Sequence, residues 1–106
     1  MTPERSPYRV VCSERLRQQL RKWGEQALRT GIGQEYTDAL KSIWERLSND
    51  PLAWGDPLFN LHHLDLLVLR GLHPLFHVQY AVHQVGRIVF VQALLLRPGS
   101  PLNEAD

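Results

Sequence analysis

From Phe76 to His83 the chain alternates: Phe76, Val78, Tyr80 and Val82 fall in one register, His77, Gln79, Ala81 and His83 in the other. A period of two marks a strand with one buried face, so these eight residues predict a β-strand whose large apolar side chains point inward. "QVGR" at 84–87 then reads as a hairpin turn, with Gly86 available for a positive φ. Ile88 to Leu95 is almost wholly apolar, the pattern of a central strand covered on both faces. Upstream, Leu66 to Arg70 reads as a strand ending near Gly71, and the β-branched run "YRVVC" at 8–12 reads as the first strand.

Between the first strand and the rest, the period changes from two to that of a helix. Leu16, Leu20, Trp23 and Ala27 with Leu28 recur on one stripe, behind Ser13 as an N-cap and Glu14 in the first turn. "TGIG" at 30–33 ends this helix, because glycine accepts the left-handed conformation of a C-terminal cap. Tyr36, Leu40, Ile43 and Leu47, backed by Ala39 and Trp44, predict a second helix, which "SNDP" at 48–51 stops. So short a connection predicts an antiparallel helical hairpin. Residues 51–63, "PLAWGDPLFNLHH", are rich in turn formers and show no period, which predicts a loop with at most one edge segment.

The predicted fold class is therefore α+β: one strand, an antiparallel helical hairpin, then a three-stranded antiparallel meander. A chain of 106 residues suits one domain, with a core at about 8–98 and a frayed tail at 99–106. At 43% hydrophobic and 22% charged residues, the composition is that of a soluble packed protein. The one cysteine, Cys12, has no internal partner, and "MTPERSP" lacks the apolar stretch of a secretory signal. No apolar run reaches the ~20 residues of a spanning helix, so a cytoplasmic protein without a membrane partner is expected.

Twelve basic and eleven acidic residues leave a net charge of +1, which by itself points to no nucleic-acid partner. Their distribution says more. From Pro57 to Pro101 the formal charges are Asp65, Arg70, Arg87 and Arg97, and all five histidines fall in the same stretch. His62 and His63 are adjacent and so diverge in extended chain, while His77 and His83 stand about 20 Å apart, too far to share a zinc ion. No metal site or cofactor is expected. Neither a nucleophile elbow nor a phosphate loop is present, and Cys12 sits in an apolar strand as a small hydrophobe would. What remains is Arg70, His73, His77 and Arg97 on neighbouring predicted strands. Such groups can hold phosphates and stabilise the charge that develops when a phosphodiester is cleaved by its own 2′-hydroxyl, with histidine moving a proton. Equally, the arginines could simply end strands in water, with His77 and His83 filling the polar face.

The element order, with "NDPLAWGDPLFNL" leading into "VLRGLHPLFHVQYAV" and then "RIVFVQALLLRP", resembles the RelE/ParE superfamily of bacterial toxins over positions 8 to 98. The resemblance implies the toxin of a type II toxin–antitoxin system of the plasmid-stabilisation kind. Its activity is then either a RelE-like, metal-independent, ribosome-dependent mRNA endonuclease or a ParE-like inhibitor of DNA gyrase. It also implies a cognate antitoxin as partner, with ribosome and mRNA, or gyrase, as target. By the same resemblance Arg70, His77 and Arg97 occupy the catalytic and RNA-binding positions, with His73 as a further RNA-binding residue and Tyr80 structural. Val68 and His77 replace basic positions of the nucleases. The tail offers Asn103, Glu104 and Asp106 where they carry an acid or base, implying a weakened nuclease. A non-catalytic protein-interaction module on the same fold is the alternative.

Overall fold

Ser13 starts the first helix as its sequence predicts, accepting a hydrogen bond from the Leu16 amide at 3.1 Å on Oγ. In the computed structural model, which describes residues 7–97, helix α1 runs Glu14–Arg29 and α2 runs Gly33–Asn49. Gly31 takes a φ of 82° between them. The Gly31 amide donates to the Leu28 carbonyl and the Ile32 amide to that of Ala27, so the last turn of α1 closes on itself. Across the hairpin the Tyr36 hydroxyl donates to the Leu20 carbonyl. Leu28 departs from the predicted stripe: it is 74% exposed, because at 3.6 residues per turn it lies about 100° round the helix from Ala27 and off the stripe.

The α+β class holds, but the described residues form five strands. β1 is Arg9–Cys12, β2 Asp56–Leu61, β3 Leu66–Leu72, β4 Phe76–His83 and β5 Ile88–Leu96. They form one mixed sheet in the order β1-β5-β4-β3-β2, with β1 parallel to β5 and every other pair antiparallel. This corrects the expected single strand plus three-stranded meander. Within residues 51–63, β2 is the one edge segment the sequence allowed for, while the rest is more ordered than a loop: Pro51–Trp54 forms a one-turn helix, α3, and His62–Leu64 forms a 3-10 turn.

All helices among the described residues lie on one side of the sheet. Tyr36, Ala39, Ile43 and Leu47 of α2 and Ala27 of α1 pack in one cluster with Leu69, Phe76, Val78, Tyr80, Val82, Val89, Val91 and Leu94. The predicted inward register of β4 is thus the core face. α3 is clamped onto it, with the Trp54 ring stacked on Tyr80 at 5.7 Å and the Tyr80 hydroxyl donating to the Pro51 carbonyl. Close approach explains two glycines here. A Cβ on Gly71 would stand 2.5 Å from the Trp54 ring, and one on Gly55 2.5 Å from the Tyr80 hydroxyl.

The other face of the sheet has no covering layer among the described residues. β5 is central, as expected, yet covered on one side only, with Phe90 and Leu95 exposed. At the β4–β5 turn the left-handed residue is Arg87, with φ 53°, rather than Gly86, and Arg87 lies over the Tyr8 ring at 4.2 Å. The tail expected at 99–106, including Asn103, Glu104 and Asp106, lies outside the described residues. Among the described residues, no helix is long and apolar enough to cross a membrane.

Candidate functional site

The uncovered face collects three of the four candidate residues from three adjacent strands. On β3 and β4 the register pairs Arg70 with Gln79 and Leu72 with His77, and on β4 and β5 it pairs His77 with Leu95. Arg97 extends the ladder beyond β5, its amide donating to the Leu75 carbonyl at 3.1 Å. Diagonal neighbours in an antiparallel sheet stand ~7–8 Å apart. Arg70, His77 and Arg97 therefore lie on one oblique line across the sheet.

Their surroundings differ. Arg70 is exposed, and its register partner on the edge strand is Asp56, which sets an opposite charge beside it. His77 is half-buried, flanked by Leu72 and Leu95, which are 55% and 61% exposed. Arg97 is partly engaged in structure: its Nη1 donates to the His73 carbonyl at 3.3 Å and ties the end of β5 to the β3–β4 hairpin.

His73 belongs to that hairpin rather than to the open line. Its amide and carbonyl exchange hydrogen bonds with Phe76, and its Nδ1 accepts from the Leu75 amide at 3.1 Å. Burial, and then the Arg97 charge, push its pKa below the usual 6.5, so the ring is neutral at pH 7. It is a hairpin residue, not a ready cation for RNA. His83 is likewise committed, its Nδ1 accepting from the Gly86 amide at 2.9 Å within the β4–β5 turn.

Tyr80 is fully buried on the core face, and Cys12 is half-buried at the edge of the core, so neither faces the open line. Among the described residues, no three His, Cys, Asp or Glu side chains are grouped to hold a metal ion. A cleft of about 300 Å³ sits elsewhere, at the opposite end of the sheet between the 3-10 turn and the β4–β5 turn. His62, Asp65, Gln84 and Val85 are among its lining residues.

The feature that sequence reading missed is apolar. One row on the open face runs across all five strands as Phe59, Val68, Ala81, Phe90 and Val11. Val68 and Ala81 are fully buried but stand outside the main core cluster, sunk between Phe59 at 50% and Phe90 at 39% exposure. The signal was the failure of "LLVLRGL" and "IVFVQALLL" to alternate, which reads as two-sided cover when the cover is absent.

No family model, no curated protein and no solved structure matches this chain.

Proposed function

We propose that this chain is the toxin component of a type II toxin–antitoxin pair, with the open face of its sheet as a RelE-like mRNA-cleaving surface. The observation that carries this reading is the oblique line of Arg70, His77 and Arg97 across three strands of that face. In the chemistry it supports, a ribose 2′-hydroxyl attacks the adjacent phosphorus, a cyclic phosphate forms and the 5′-oxygen leaves with a proton. His77 is the residue able to move a proton, and the two guanidinium groups stabilise the charge building on the phosphate oxygens. No metal enters this scheme. The fifth strand departs from the family pattern, and Asp56 beside Arg70 fits a weakened nuclease.

A second reading, a protein-binding surface such as a gyrase inhibitor or a non-catalytic interaction module, is favoured by the apolar row and by exposed Leu72 and Leu95. One experiment separates the two: induction of the protein in bacteria, scoring growth and cleavage of ribosome-bound mRNA, with Arg70→Ala and His77→Ala. The nuclease reading expects arrest with cleavage, both lost in the variants. Arrest without cleavage that survives both substitutions sinks the nuclease and leaves the protein-binding reading. Because Arg97 also ties the hairpin, its variant must first be shown to fold.

A further inference from the structure

We infer that the open face of the sheet docks against a second copy of the same chain, forming a two-fold face-to-face dimer. The inference stands on the apolar row and is independent of the nuclease reading.

An antiparallel sheet facing water normally alternates apolar-in and polar-out. Here the outward positions Phe59, Val68, Ala81, Phe90 and Val11 are apolar on every strand. Their spacing is self-complementary. β4 is the middle strand of the order β1-β5-β4-β3-β2, so a two-fold axis along it exchanges β5 with β3 and β1 with β2. The large Phe90 of one copy then lies over Val68 of the partner subunit, and Phe59 over Val11 of the partner subunit. Ala81, the smallest of the row, meets its own image on the axis. Two rows away, beyond the row of Arg70 and Gln79, the same operation sets Leu72 over Leu95 of the partner subunit. Ridges thus fall on troughs, and inclining the axis about 15° to β4 gives the two sheets the ~30° angle that twisted sheets adopt when they pack face to face.

Size and composition point the same way. Five strands ~4.8 Å apart and seven residues of ~3.3 Å make a face of about 24 by 23 Å. Two such faces hide about 1,100 Å² in projection, and side-chain relief brings this to the lower bound of about 1,200 Å² for specific association. With a net charge of +1, copies scarcely repel. Residues 1–6 and 98–106 contain only Met1 and Leu102 as large apolar side chains, too few to match the row.

Sedimentation velocity on the full chain, from about 1 µM to about 1 mM, tests the proposal. The expected result is a reversible shift from 12.2 kDa to twice that mass. Phe90→Arg and Phe59→Arg, both at exposed positions, should each weaken the dimer about 30-fold or more, with circular dichroism confirming the fold. Leu28→Arg, which alters a still more exposed leucine on the helix side, should leave it unchanged. A monomer throughout overturns the proposal and assigns the face to another protein or to the terminal residues. A dimer insensitive to both phenylalanine substitutions, one abolished by Leu28→Arg, or growth into open-ended oligomers overturns it as well.

Discussion

Tyr80 shows how one side chain can hold an element in place. Its ring stacks on Trp54, its hydroxyl donates to Pro51, and both partners belong to the single turn of α3. Tyr80→Phe leaves the buried Pro51 carbonyl without this donor and should cost about 1–3 kcal/mol in urea unfolding. Gly55→Ala should be worse than an ordinary surface change, because its methyl group meets the Tyr80 hydroxyl at 2.5 Å and the Arg70 carbonyl at 2.9 Å. Overpacking of this kind costs about 1–3 kcal/mol, read as a lowered Tm. Burial also pushes the phenols of Tyr36 and Tyr80 from 10 up to about 12. A raised folded pKa means that this contribution is complete below pH 10 and is lost as pH climbs through 12. The unfolding midpoint should therefore fall between pH 10 and 12, and less steeply in Tyr36→Phe. An equal slope in that variant would remove Tyr36 from the effect.

At the scale of elements, legibility in the sequence followed burial. β4 and α2 each have one face in the core and one in water, so their periods were plain and their limits nearly right. β2 is legible only as an edge segment without limits, because its first five residues are exposed, so no alternation is imposed on "DPLFNL", and a bulge at Leu58 breaks its register. α3 is one turn long, too short for a helical period to show. Of the candidate site, the line of Arg70, His77 and Arg97 was legible because strand pairing is local. The lowered pKa of His73 was not, since it arises first from burial in the folded hairpin and then from the charge of Arg97, 24 residues away in the chain. The cap at Ser13 was legible because capping is a matter of adjacent residues. Ser13→Ala should cost about 1 kcal/mol, measured by chemical denaturation, and a cost near zero would mean that the Leu16 amide finds water as readily as Oγ.

At the scale of the molecule, the basic line and the apolar row share one face, so the proposed phosphate backbone and the proposed second copy would compete for it. The cations are few, which fixes how RNA binding must behave. With at most three contacts from Arg70, His77 and Arg97, and about 0.7 counterions released per single-stranded contact, the slope of log K against log salt is no steeper than about −2. Raising salt from about 50 to about 200 mM should then weaken binding of a short single-stranded RNA about 20-fold at most. A ribosome-scale electrostatic footprint would give a much steeper slope and would place the contact elsewhere. Asp56, paired in register with Arg70, provides the complementary handle: Asp56→Asn removes an anion from the face and should tighten RNA binding, while Arg70→Ala loosens it and flattens the slope. Filter binding at several salt concentrations reads all three quantities. If Asp56→Asn leaves affinity unchanged while Phe90→Arg abolishes self-association, the face serves protein contact alone and its arginines are strand-end solvation.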